Sequence, residues 1–176
     1  MRNLKKFFLA TILLLSINTL SVYSADTPYF IDFKFILNES NAGKKAQTFL
    51  KEKLEKGFAS IKKTELEISS EEKKIIQQKK LISSEEYKKK VTELRKKVSE
   101  LQKKRSILLE SVAKQRTFAR NELLKNLNPI IKEYMNQKKI RMVLDKKSLL
   151  LADENLDITK DIMKVLNKNL KSIKLN

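Results

Sequence analysis

Residues 80–87 read Lys80-Leu81-Ile82-Ser83-Ser84-Glu85-Glu86-Tyr87. A serine followed three residues later by a glutamate fits a capping box, in which the hydroxyl accepts from the third helical amide and the carboxylate reaches back. Upstream, Leu54, Ile61, Ile68, Ile75 and Ile82 recur every seventh residue. Downstream, Tyr87, Val91, Leu94, Val98, Leu101, Arg105, Leu108, Val112, Gln115 and Ala119 alternate steps of four and three. Spacing of this kind, sustained over several heptads, marks a coiled coil. Folding the chain back between Ser83 and Ser84 pairs positions whose numbers add to 169: Ile82 with Tyr87, Ile75 with Leu94, Ile68 with Leu101, Ile61 with Leu108 and Leu54 with Gln115. The intervening layers are weaker, namely Gln78/Val91, Glu71/Val98, Thr64/Arg105, Gly57/Val112 and Leu50/Ala119. A single long helix that dimerises lengthwise competes with this hairpin, but cap and register agree on the fold-back.

Composition points the same way. The chain has 176 residues, 34% of them charged, with two glycines and two prolines. So few turn residues argue against sandwiches, barrels and doubly wound sheets. The absence of His, Cys and Trp removes disulfides, Cys/His metal sites, thiol chemistry and histidine acid–base catalysis. Two glycines, Gly43 and Gly57, cannot write a P-loop or a dinucleotide fingerprint. The acids Asp145, Asp153, Asp157 and Asp161 read as turn and cap residues. No catalytic, cofactor-binding or metal-ligating residue is therefore assigned, and no enzyme is expected. The net charge of +18 favours acidic partners: nucleic acid, anionic lipid or acidic polypeptide. A merely solvated lysine-rich helix surface is the bland alternative.

The N-terminus carries an address. Arg2, Lys5 and Lys6 precede an apolar run from Phe7 to Leu15, and polar Ser16, Asn18, Thr19 and Ser21 follow. This order is that of a secretory signal peptide over residues 1–24, with Val22-Tyr23-Ser24 suiting cleavage after Ser24. An uncleaved anchor would need about 20 apolar residues. Export disfavours nucleic acid as a partner, and without cysteines packing or assembly must supply stability.

Around the arm lies a small body. Ile31, Phe33 and Phe35 alternate with Asp32 and Lys34, the period of a strand over residues 28–36. Asn38-Glu39-Ser40-Asn41 suits a helix start. Around Asn128-Pro129, where a kink is expected, the stripe broadens through Leu123, Leu127, Ile130, Ile131 and Tyr134 as if a core were reached. Ile140 to Leu144 and Ser148 to Ala152 read as a β-hairpin without a turn glycine. A last helix follows, with Thr159 as its cap and Ile162, Met163, Val165, Leu166 and Leu170 as its stripe. Three short strands are marginal alone, and their exposed edges invite completion between chains. The fold class is thus α+β: a body formed by residues 25–43 and 127–176, and a helical hairpin arm over residues 44–126 with its tip near 83–84. Ile31, Phe33, Phe35, Val143, Leu149 and Leu151 are the expected residues of the intersubunit body.

This layout resembles the Skp (OmpH-like) family of periplasmic chaperones over essentially the whole exported chain. The resemblance is carried by Tyr29-Phe30-Ile31-Asp32 with Ile36-Leu37-Asn38-Glu39-Ser40-Asn41-Ala42-Gly43-Lys44, by Leu127-Asn128-Pro129-Ile130-Ile131, and by Val143-Leu144-Asp145 with Asp157-Ile158-Thr159 and Val165-Leu166. It implies a homotrimer with a β-barrel-like body and three helical hairpins around a central cavity, located in the periplasm. It also implies clients, unfolded outer-membrane proteins, held without ATP. No family binding residue is carried over.

A physical case for such a holdase stands beside the resemblance. An unfolded membrane β-barrel is apolar on alternate residues and aggregates in water. Basic arms attract an acidic client from a distance, and several arms together need only weak contacts. The expected client contacts are Lys73, Lys74, Lys79, Lys80, Lys88, Lys89, Lys96, Lys97, Lys103 and Lys104. Gly57 is expected to pack against Val112, Arg105 and Gln115 to set register, and Phe49, Phe58 and Phe118 to pack between helices. The alternative function is an envelope coiled-coil spacer or adaptor without general unfolded-protein binding. An anionic lipid surface is a partner the charge permits. Nucleic acid is disfavoured, because no aromatic-studded module is present.

Overall fold

The computed structural model describes residues 27–175. The signal-peptide reading of residues 1–24 and the cut after Ser24 lie outside the described residues. Strand β1 (Tyr29–Ile31) leads into helix α1 (Phe33–Glu39), then the long helices α2 (Asn41–Gln78) and α3 (Ser84–Lys138). Strand β2 (Val143–Asp145), two single turns of 3₁₀ helix (Lys146–Ser148 and Glu154–Leu156) and helix α4 (Thr159–Asn169) complete the chain.

The expected strand over residues 28–36 stops at Ile31, and Phe33 and Phe35 are helical. Asp32 decides this: its carboxylate accepts from the Phe35 amide at 2.7 Å and caps α1. Phe33, Ile36 and Leu37 then share one helical face against the core, whereas Phe35 is exposed. Ser40 closes α1 and opens α2. Its amide donates to the Ile36 carbonyl, and its buried hydroxyl accepts from the Gly43 amide at 3.1 Å. Gly43 is required for space rather than for an unusual backbone. A Cβ there would run into the Leu37 carbonyl oxygen and sit 2.9 Å from Ser40 Oγ.

The expected β-hairpin over residues 140–152 does not form. β2 pairs in parallel with β1, Tyr29 against Val143, Phe30 against Leu144 and Ile31 against Asp145. On the other side of β1, Phe30 bridges Asp157, and the Ile158 amide donates to the Phe30 carbonyl at 3.0 Å. Asp145 caps a 3₁₀ turn through the Lys147 amide, so the chain bends where a hairpin would have continued. Leu149 is half-buried, while Leu150 and Leu151 stand free at 103% and 93% exposure. Two strands are found among the described residues, not three.

Thr159 does not cap α4 either. Asp157 accepts from the Thr159 amide at 2.8 Å, and the threonine hydroxyl accepts from the Asp32 amide at 2.8 Å. It therefore ties α4 to the corner between β1 and α1. The core lies where these pieces meet the far half of α3: Ile31, Ile36, Ala42, Leu123, Leu127, Ile158, Ile162 and Leu166 are all buried. α3 runs unbroken through Pro129, which lacks the amide that the Lys125 carbonyl would otherwise accept from. It ends on Lys139 at φ 55°, with the Ile140 amide donating to the Met135 carbonyl at 2.9 Å. That is a Schellman-type stop built without glycine.

A side-chain hydrogen bond joins α3 to α4. The Tyr134 hydroxyl donates to Asp161 at 2.7 Å, and this bond, helped by partial burial, pushes the phenol up to about 12. A phenol that ionises later when folded than when unfolded adds stability that is complete below about pH 10 and disappears by about pH 12. Ultraviolet titration of tyrosinate should show a late step from Tyr134 in the folded protein, and Asp161→Asn should move that step down. A late step persisting in Tyr134→Phe would refute the assignment. Separately, Gly43→Ala should cost about 1–3 kcal/mol, because backbone at Leu37 cannot yield as a side chain would. An unchanged urea midpoint would show that the corner relaxes freely.

Candidate functional site

The arm is built from α2 and the first two-thirds of α3. Its turn follows the last bonded residues of α2, with Ser83 Oγ accepting from the Glu86 amide at 3.1 Å. The Glu86 carboxylate faces Lys90 at 3.6 Å. Cross-arm polar contacts fix the register: Gln78 with Lys90 (3.0 Å), Glu71 with Lys97 (2.6 Å), Glu65 with Arg105 (2.6 Å) and Gln115 with Lys53 (2.9 Å). The numbers of these pairs add to 168 or 170, either side of 169. Ile61, Ile75, Leu101 and Val112 are buried between the helices, while Ile68, Leu94, Leu108 and Leu54 are half-buried. Gly57 packs under Leu108 rather than Val112, and the Leu108 methyls occupy the space a Cβ would need.

All ten lysines expected at the client surface are exposed. Lys97 is held by Glu71, and Lys79 lies over the Tyr87 ring, 5.6 Å from its centre. Lys73, Lys74, Lys80, Lys88, Lys89, Lys96, Lys103 and Lys104 form no ion pair among the described residues. Elsewhere on the arm, neighbouring charges do pair along the helix. Lys114 and Glu110 meet at 2.5 Å, which holds the Glu110 carboxyl below its ordinary range.

Phe49, Phe58 and Phe118 do not pack between the helices; each is exposed. Their positions fall on the flanks of the seam, where helical spacing resembles that of a core but the partner helix is too far round. Leu81, at the turn, is 82% exposed, and Ile76 and Leu66 are exposed as well. Sequence reasoning passed over a further feature. Leu37, Leu50, Leu54 and Phe58 line one wall and floor of a cleft of about 1030 Å³ at the arm's root, faced by Arg116, Arg120 and Leu123 and closed by Ile173. Its signal was the four-residue step Leu50, Leu54, Phe58, which leaves the seven-residue ladder.

Of the residues expected in the intersubunit body, Ile31 is buried within this chain and Val143 half-buried in β2. Phe33 lies under the Arg120 guanidinium, 5.4 Å from ring centre to Cζ. Phe35 and Leu151 face outward, and Leu149 is half-buried.

Because the seam is one layer thick, it should open locally. Leu101→Ala, which removes a buried layer, should cost about 2–4 kcal/mol of arm stability. Hydrogen exchange should speed up along α2 and α3 while α4 keeps its protection. Uniform acceleration everywhere would show that arm and body unfold as one unit.

Three comparisons bear on this geometry. The family described as "Outer membrane protein (OmpH-like)" matches residues 29–166. Among curated proteins none matches. A solved structure, described as a candidate outer membrane chaperone (OmpH-like) from Caulobacter crescentus, aligns with TM-score 0.77 at 20% identity, covering 85% of this chain and 90% of that one. The match spans both strands, both long helices and most of α4, and with it the chain belongs to the OmpH-like (Skp) family.

Proposed function

We propose that this protein is an ATP-independent periplasmic holdase, which binds unfolded outer-membrane proteins in a basic cavity between helical arms and keeps them from aggregating. The observation that carries the reading is the row of exposed arm lysines with no carboxylate partner among the described residues. A helix surface built for stability alone would spend such charges on neighbours four residues away. Family membership and the chaperone description of the Caulobacter structure support the same role. Location in the periplasm rests on the leader-like N-terminus and on the family.

The working unit in this reading is a homotrimer. A two-stranded parallel sheet of three residues per strand is too small to stand as a sheet by itself. Leu150 and Leu151, fully exposed beside it, are apolar surface that a second chain would cover. Three arms then raise the effective concentration of weak contacts around one client. An anionic lipid surface is a second partner that the same lysines suit.

The test is aggregation. At micromolar concentration the purified protein should suppress the light scattering of an unfolded outer-membrane β-barrel diluted from urea, and the effect should weaken as salt rises. Its mass in solution should be three times that of one chain. An elongated dimer that leaves scattering unchanged yet binds one folded envelope protein would favour the spacer reading instead.

A further inference from the structure

The arm's charge accounts for attraction, but attraction alone does not hold an apolar chain. The cleft at the arm's root has the missing chemistry. Its floor is Leu50, Leu54 and Phe58 on successive turns of α2, with Ile173 at one end. Phe58 is 42% exposed although it borders a concave apolar surface. Across the cleft stand Arg116 and Arg120, one turn apart on α3. The acids that line it are already used: Glu39 holds Lys44 at 2.8 Å, and Glu55 faces Lys51 at 3.8 Å. Arg116 has no ion pair among the described residues, and Arg120 rests on the Phe33 ring rather than on a carboxylate. The cleft is therefore apolar below and positive on one wall.

We propose that this cleft seats one short extended segment of an unfolded client, apolar on alternate residues and carrying a carboxylate. The dimensions agree. Leu50 to Phe58 spans about 12 Å of helix, the length of about four residues of extended chain. Alternate side chains of such a segment recur every 6–7 Å on one face, close to the roughly 6 Å between successive turns of α2. Two of them thus lie over Leu50, Leu54 and Phe58, while an intervening acid turns toward Arg116. Guanidinium binds carboxylate in a two-pronged geometry, stronger where water is partly excluded. The proposal rests on the holdase reading and gives it a place: lysines gather the client, and the root cleft grips it.

The experiment uses a fluorescently labelled synthetic peptide in which Val and Tyr alternate with Asp and Thr, measured by anisotropy against the purified protein. One site per chain is expected. Phe58→Ala and Arg116→Glu should each weaken binding about tenfold or more. Lys132→Glu, exposed on α3 beyond the cleft, changes charge as Arg116→Glu does and should leave binding within about twofold. Equal binding by all four proteins overturns the seat. So does a change of oligomeric state in the two cleft variants in place of lost peptide affinity, because the cleft then houses a second copy of the chain. Light scattering on the same samples separates the two readings. Suppression by the wild type with peptide binding untouched by the variants removes the seat and keeps the holdase. Wild type that fails to suppress scattering removes the holdase, whatever the peptide does.

Discussion

The pairing of α2 with α3 is the constraint on which the rest depends. These helices contain 38 and 55 residues, yet they bury an apolar layer only about once per heptad. A buried aliphatic side chain contributes about 1.5–3 kcal/mol, an exposed ion pair at most about 1. The layers at Ile61, Ile75, Leu101 and Val112 thus hold the helices together, and the polar contacts at Glu65, Glu71 and Gln78 refine the register. The same register reaches into the body. Ala42 at the start of α2 and Leu123 and Leu127 of α3 belong to one core with Ile36 and Ile162. A slip of the arm would drag α3 across that core, so body and arm fix one another.

A thin seam leaves most of each helix surface to water, and the sequence fills it with lysine. Helix propensity does not explain that choice, since glutamate and glutamine serve nearly as well. Solubility would be met by either sign of charge. Along the arm, Lys73, Lys74, Lys88, Lys89, Lys103 and Lys104 stand without a compensating acid among the described residues. A surface that tolerates self-repulsion of this kind is best explained by something negative outside the chain.

Much of this was legible in advance because it is local and periodic. The heptad ladder, the Ser83 cap and the matched index sum all refer to neighbours in sequence or to one fold-back, and the side-chain pairs of the arm follow them. The body was harder for a physical reason. Strand β1 finds its partner more than a hundred residues later and in parallel, and nothing in residues 140–152 announces that. Alternating Phe33 and Phe35 imitated a strand, while the deciding signal was the capping carboxylate of Asp32. Thr159 was a sound N-cap by type, but its hydroxyl was drawn to the Asp32 amide across the body. Phe58 and Phe118 sit at helical spacing on the seam's flank, and only the geometry of the second helix tells flank from seam.

Range separates the two kinds of surface on the arm. Charge acts over about 8 Å at physiological ionic strength, whereas α2 alone is about 57 Å long. Lysines near the turn and arginines at the root therefore act on different parts of one client: the lysines gather it, and the root holds the segment that reaches the cleft. Apolar contact acts only at touching distance. A chain drawn to the outer arm gains little that salt would not remove, and it becomes harder to release only where apolar surface is concave and water is partly excluded. In this fold that surface lies beside Leu50, Leu54 and Phe58, where the yielding arm meets the packed body and where each helix is anchored at one end.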